Sequence, residues 1–183
     1  MAKPSPEELF DQGKEILDFA VSGGGGAFRG DSLEAKKYYI QAKEYFEKAC
    51  NLNYAKGCVS LGGLYEGENL VIRREPKLKK RLEKAIQYYS KACDLNDKFG
   101  CSRLGAMQYI GKGVVKNEKQ ATEKFEKACK LGKQEACEMV TYKGLCELGH
   151  KEACEIFSLE VLCESSDQKA CGMSYDKKKA LGF

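Results

Sequence analysis

The chain has 183 residues and a formal net charge of +4, so it is long enough to bury a sizeable core and only mildly basic. Nucleic-acid binding is not expected, since the charge is modest and no known reader motif is present. No apolar run of about 18 residues occurs, which argues against a membrane span, and the first ten residues lack the apolar stretch of a secretory signal.

The first predicted element is a helix over residues 9–20, followed by the glycine-rich segment 21–30 in place of a short turn. The run Gly23–Gly26 lies neither before a G-K-[ST] sequence nor between a strand and a helix, which are the contexts of phosphate-binding loops. We therefore interpret this segment as a connection between two helices.

From residue 42 onward one pattern recurs, with an aromatic residue four positions and an alanine one position before a cysteine. Three copies end at Cys50, Cys93 and Cys129, and a further alanine stands eight residues before each. The first cysteines of successive units are 43, 36, 17 and 17 residues apart, and the longest unit carries additional residues around 73–80. Apolar residues recur every three or four positions, which predicts helices.

We predict a single all-α repeat domain over residues 1–183, an α/α superhelical solenoid, because regular repeats of helix pairs are typical of solenoids. Its first helix lacks a cysteine, and its C-terminal end consists of shortened, degenerate repeats that form a cap. The predicted repeats are 5–52, 54–95 with the insertion, 97–131 and the C-terminal segment 133–180.

The ten cysteines form five pairs with identical C-x7-C spacing. Cys137 and Cys146 are expected on one helix, where nine residues correspond to about 13–14 Å along the axis. A disulfide needs Cα atoms within about 7 Å, so pairing across the seven-residue turn between consecutive helices is favoured. The predicted pairs are Cys50 with Cys58, Cys93 with Cys101, Cys129 with Cys137, Cys146 with Cys154, and Cys163 with Cys171.

Metal binding is the alternative use of so many cysteines. Zinc sites usually have C-x2–4-C spacing, which is absent, and the single histidine, His150, has no partner histidine. We predict no metal and no other cofactor. A reduced cytosolic protein with buried thiols is a further alternative, but disulfides favour an oxidising compartment. We therefore expect a secreted or periplasmic protein whose leader has been removed.

The pattern A-x3-F/Y-x2-A-C-x-L, followed by G-C-x2-L-G and G-x-G-V-x-K, resembles Sel1-like repeats, which are relatives of tetratricopeptide repeats. Segments 85–96 and 111–121, with a cysteine pair in each unit, resemble the Helicobacter cysteine-rich proteins. The match is specific over residues 42–137. This resemblance implies an α/α superhelix, secretion, and one disulfide joining consecutive helices in each unit. In the later units, Thr141, Ser158 and Tyr175 replace the glycines of the pattern.

Helix-pair repeats present a groove that suits an extended peptide or a protein surface, so a binding scaffold is the favoured function. The expected partner is a peptide or protein, including a host protein or a peptidoglycan fragment, and the protein is expected to act as a monomer. Tyrosine is enriched in binding hot spots. The candidate contacts are Tyr38, Tyr88, Lys112, Lys116 and Asn117.

An enzyme is the alternative, because the family resemblance implies penicillin binding and weak β-lactamase activity. Serine β-lactamases use S-x-x-K together with S-D-N and K-T-G. Two S-x-x-K matches occur, Ser166 with Lys169 and Ser174 with Lys177, but neither companion motif is present. A lysine three residues away on a helix faces the same side as the serine and can activate it. The missing motifs leave the scaffold as the favoured interpretation.

Overall fold

The structure is a computed structural model that describes residues 2–67 and 77–183, with Lys77 described by its backbone only. Over this part of the chain it is entirely helical. The helices are α1 (Pro6–Val21), α2 (Gly23–Gly26), α3 (Leu33–Asn51), α4 (Ala55–Glu66), α5 (Lys77–Asp94), α6 (Lys98–Ile110), α7 (Glu118–Lys130), α8 (Gln134–Glu147), α9 (Lys151–Glu164) and α10 (Gln168–Ala180). Of the predicted insertion, residues 73–76 lie outside the described residues, and residues 77–80 form the first turn of α5.

The chain divides into two compact units, Met1–Leu95 and Asn96–Phe183. Their boundary falls between the predicted second and third repeats, and the single domain over 1–183 stays a prediction. In the first unit α1 packs on α3, α3 on α4 and α4 on α5. In the second unit α6 to α10 pack in chain order, and α9 also contacts α6.

Glycines allow aromatic rings to enter the interface between neighbouring helices. A Cβ atom placed on Gly62 would lie 2.6 Å from the ring of Tyr89, and one on Gly105 would lie 2.9 Å from the ring of Phe125. Both rings are buried, as is the ring of Phe46, which lies in the same column of the repeat. The recurring glycine and aromatic residue therefore describe one repeated packing contact.

All ten cysteines are disulfide-bonded, as the spacing predicts. Each bond closes the turn between consecutive helices, and the Cα atoms that it joins are 4.6 Å apart in the first staple and in the three C-terminal staples. These staples join Cys50 to Cys58, Cys129 to Cys137, Cys146 to Cys154, and Cys163 to Cys171. Cys93 and Cys101 are disulfide-bonded as well.

The C-terminal staples connect helices of ordinary length. Helices α8, α9 and α10 have 14, 14 and 13 residues, shorter than α3 with 19 but as long as α6 and α7. Cys154 and Cys171 lie in the first turns of α9 and α10, where both are half-buried. The 17-residue steps of the sequence therefore correspond to single helices with their turns, each stapled to the next helix.

The third residue between the two cysteines of each C-x7-C segment reverses the chain through a left-handed backbone conformation. Glycine or asparagine adopts this conformation at low cost directly after a helix. The fifth turn uses serine instead. The five residues lie three positions after the first cysteine, with φ angles of 62° at Asn53, 63° at Asn96, 100° at Gly132, 95° at Gly149 and 72° at Ser166.

Candidate binding surface

Two tyrosines on neighbouring helices of the first unit stack on each other at the surface. The rings of Tyr65 on α4 and Tyr88 on α5 have centroids 5.6 Å apart and planes inclined by 15°. Both residues are half-buried, so part of each ring is open to solvent. The next residue along each helix points into the interface, because consecutive helical residues are about 100° apart around the axis.

These next residues, Glu66 and Tyr89, form a buried contact beneath the stacked rings. The Tyr89 hydroxyl donates a hydrogen bond of 2.7 Å to a carboxylate oxygen of Glu66, and both side chains are almost fully buried. The contact fixes α4 against α5 at the position where Tyr65 and Tyr88 emerge. The stacked pair is therefore held in place by the core below it.

Two lysines from different helices lie over the same tyrosine ring. The Nζ atom of Lys43 on α3 is 4.9 Å from the centroid of Tyr65, and that of Lys84 on α5 is 5.4 Å away. Lys84 precedes Tyr88 by one helical turn, which brings the two side chains to one face of α5. We call these four residues, Lys43, Tyr65, Lys84 and Tyr88, the Tyr–Lys surface.

The surroundings of the Tyr–Lys surface keep Lys43 charged and Tyr88 neutral. Hydrogen bonding to Tyr65 raises the pKa of Lys43, while burial acts in the opposite direction. Burial raises the pKa of Tyr88, and the neighbouring Tyr65 and Glu47 act in the same direction. At neutral pH Lys43 is thus an ammonium group and Tyr88 an uncharged aromatic ring.

Neither ammonium group of the Tyr–Lys surface forms an ion pair within residues 2–67 and 77–183. Glu47 raises the pKa of Lys43 through its charge but forms no such pair with it. Other lysines do form ion pairs, as Lys116 does with Glu118 at 3.2 Å. The surface therefore carries two positive charges that the described chain does not neutralise directly.

Tyr38, the other predicted aromatic contact, lies in a separate cluster of the same unit. Its ring stacks on Phe28 with centroids 5.7 Å apart and meets the edge of Phe19 at 4.8 Å. Of the two predicted tyrosines, only Tyr88 belongs to the Tyr–Lys surface. Sequence reasoning missed Tyr65, although its place beside a buried position of α4 was a usable signal.

The predicted polar loop of the second unit is occupied by internal contacts. Lys112 donates from Nζ to the carbonyl oxygen and the hydroxyl of Ser165, at 3.2 and 3.3 Å. Lys116 lies 5.6 Å from the ring centroid of Tyr109 and pairs with Glu118. The Asn117 side chain accepts a hydrogen bond of 3.0 Å from the backbone at the start of α7. Ligand contact by these three residues stays a prediction.

The two serine candidates contact residues other than the lysines of their motifs. Ser166 lies in the α9–α10 turn and accepts a hydrogen bond of 3.4 Å from Arg103, while Lys169 is exposed on α10. Ser174 is 1% exposed and donates to the carboxylate of Glu160. Its motif partner Lys177 instead forms an ion pair with Glu155. These contacts give no support to an activated serine.

A further serine contacts a lysine at a site that sequence reasoning missed. Lys133 donates to the hydroxyl of Ser102 at 3.2 Å and to the carboxylate of Glu164 at 2.6 Å. Ser102 is fully buried, so a substrate has no access to its hydroxyl. The contacts join α6, the start of α8 and the end of α9, and we interpret them as a polar clamp within the second unit.

Within the described part of the chain, no group of three or more histidine, cysteine, aspartate or glutamate side chains is arranged to hold a metal ion. The helices described there also lack the length and apolar character needed to cross a membrane.

Comparison with known proteins identifies the family of this chain. The Sel1 repeat family matches residues 22–54, 77–97 and 99–133. Helicobacter pylori cysteine rich protein B is 38% identical over 73% of this chain and 96% of its own, with a TM-score of 0.47. The chain belongs to the Helicobacter cysteine-rich family of Sel1-repeat proteins. This membership confirms the resemblance that the motifs indicated, together with the all-α Sel1 solenoid class.

Two more distant solved structures carry the same kind of repeat. A protective antigen of uropathogenic Escherichia coli with an SLR fold is 19% identical over 97% of this chain and 46% of its own, with a TM-score of 0.51. A Sel1 repeat protein of Oxalobacter formigenes is 18% identical over 96% of this chain and 88% of its own, with a TM-score of 0.45. No match was found among curated proteins.

Proposed function

We propose that this Sel1-repeat protein is a disulfide-stapled scaffold that binds a peptide or protein partner through the Tyr–Lys surface. The observation that supports this proposal is the stacked pair of Tyr65 and Tyr88. The pair lies beneath two ammonium groups that form no ion pair within the described residues. Sel1 repeats generally mediate protein interactions. Partly exposed tyrosines on a rigid base provide contact area at a low cost in conformational entropy.

The proposed place of action is outside the cytoplasm, by secretion or in the periplasm. The disulfides suggest an oxidising environment, and so does the similarity to a cysteine-rich relative. Partners that such a protein meets include host proteins and peptidoglycan fragments. We further propose that the protein acts as a monomer.

The test selects ligands first and then locates their binding site. The oxidised protein is used to select from a phage-displayed random dodecapeptide library and is titrated with soluble muropeptides. Ligands obtained in this way are measured against Tyr65→Ala, Tyr88→Ala and the control Tyr175→Ala. Tyr175 is exposed and lies on α10 of the other unit.

We expect either variant in the Tyr–Lys surface to weaken binding by about tenfold or more, which is the effect of truncating a hot-spot residue. The control should bind as the parent protein does. Failure to select any ligand, or ligands whose affinity is insensitive to Tyr65 and Tyr88, would contradict the proposal.

A further inference from the structure

We infer that the Tyr–Lys surface binds an acidic peptide segment, with carboxylates two residues apart that reach Lys43 and Lys84. This inference rests on the proposed function and specifies the chemical class of the partner. The starting point is the convergence of two cations, from two helices, on one tyrosine ring.

Two positive charges lie close together at the Tyr–Lys surface. The two Nζ atoms cannot be farther apart than the sum of their distances to the Tyr65 centroid, 4.9 and 5.4 Å. Like charges this close repel each other, and the ring faces offset only part of that repulsion. Within residues 2–67 and 77–183, the charged or titratable groups that act on Lys43 are Tyr65, Glu47 and Tyr88, of which Glu47 is the carboxylate. An external carboxylate therefore complements the surface.

An extended peptide can carry two carboxylates at a suitable spacing. Residues i and i+2 of an extended peptide lie on one side of the backbone, about 6.5–7 Å apart. That spacing does not exceed the largest separation that the two Nζ atoms can have, given their distances to the Tyr65 centroid. A sequence of the form acidic–x–acidic can therefore place one carboxylate at Lys43 and one at Lys84.

The Tyr–Lys surface suits a peptide better than a small anion such as phosphate. Lysine is a point charge and does not offer the two-pronged geometry with which arginine recognises phosphate. All four residues lie within helices rather than at helix N-termini, so their own backbone amides are not free to bind an anion. The stacked rings of Tyr65 and Tyr88 instead offer a flat apolar contact for peptide groups.

The probe is the acetylated, amidated pentapeptide Gly-Glu-Leu-Glu-Gly, compared with its counterpart in which glutamine replaces both glutamates. Each is titrated into ¹⁵N-labelled oxidised protein, and amide shifts are followed by NMR. We expect the glutamate peptide to shift resonances of α3, α4 and α5 around the Tyr–Lys surface. Its affinity should fall at higher salt, because screening weakens exposed charge pairs.

The double variant Lys43→Gln/Lys84→Gln should weaken binding of the glutamate peptide by about tenfold or more. The charge-matched control, Lys119→Gln/Lys130→Gln, removes two exposed lysines of α7 and should leave binding unchanged. Conserved amide dispersion in both variants establishes that each is folded.

Several outcomes would overturn the inference. Equal binding of the glutamine peptide at the same surface would remove the acidic requirement and leave the proposed function intact. The inference would also be overturned if the glutamate peptide did not bind, if it bound outside the Tyr–Lys surface, or if the control variant lost binding equally. Saturation of the surface by inorganic phosphate alone, with the same shifts, would indicate a small-anion site instead. The proposed function fails separately, if no selected ligand depends on Tyr65 or Tyr88.

Discussion

Tyr89 donates a buried hydrogen bond of 2.7 Å to Glu66, across the interface of α4 and α5. The residues that precede them in the sequence, Tyr88 and Tyr65, stack on the surface directly above. The repeat core and the candidate binding surface are therefore joined by adjacent residues on two helices. A change in the buried contact should be felt at the surface.

Tyr89→Phe tests this link. Removing the hydroxyl takes one buried donor from the Glu66 carboxylate, so the free energy of unfolding should fall by about 1–2 kcal/mol. Tyr88→Phe is the matched control, because its half-buried ring should tolerate the change within about 0.5 kcal/mol. Urea denaturation of the oxidised variants measures both. Equal losses in the two variants would argue against a special role for the Tyr89 hydroxyl.

Gly62→Ala tests the close approach of helix and ring. The new Cβ would lie 2.6 Å from the buried ring of Tyr89, so the ring or the helix must shift. We expect destabilisation of about 1–3 kcal/mol, as in other overpacked cores. Gly172→Ala on α10 is the control: its Cβ would meet nothing within 4 Å, and alanine favours a helix by about 1 kcal/mol over glycine. Thermal or urea unfolding should move in opposite directions for the two variants.

Ser166 holds a left-handed conformation with φ 72° at a turn position where Gly132 and Gly149 stand in earlier units. Ser166→Gly removes this strain, whereas Ser166→Ala keeps it and loses the same hydroxyl contact to Arg103. The glycine variant should therefore be the more stable of the two by about 1 kcal/mol. Calorimetry of both proteins checks the difference, and an alanine variant as stable as the glycine variant would show that the turn is unstrained.

The disulfides should differ in their resistance to reduction. Cys50 and Cys58 are fully buried, as are Cys93 and Cys101, whereas the six later cysteines are half-buried. An attacking thiolate must reach a sulfur atom, so limited reductant should open the C-terminal staples first. Alkylation at successive times followed by mass spectrometry gives the order. Simultaneous loss of all the bonds would mean that reduction proceeds through global unfolding.

The features that could be predicted from the sequence are local and repeated. Paired cysteines are eight positions apart, as Cys146 and Cys154 are, and the burial of Phe46, Tyr89 and Phe125 follows from their shared column. Helical periodicity and short turns fix both without knowledge of the tertiary structure. The helix pairs and the disulfides could thus be predicted because the repeat is regular.

The Tyr–Lys surface and the polar clamp were not predictable in this way. Each joins residues from three helices, and the repeat pattern does not show which side chains on different helices meet. Lys133 and Glu164 are 31 residues apart in sequence, and their contact depends on how α8 and α9 pack. Likewise, the predicted loop residue Lys112 donates a hydrogen bond to Ser165, which is far away in the sequence.

The seven-residue spacing within every staple has a consequence for biogenesis. Each native disulfide closes a very short loop, so its two sulfurs meet early and at little entropic cost. A chain that enters an oxidising compartment from its N-terminus can therefore oxidise each helical hairpin as soon as that hairpin has emerged. Correct pairing then depends on order of arrival rather than on a search among ten thiols, and the demand for disulfide isomerisation should be low.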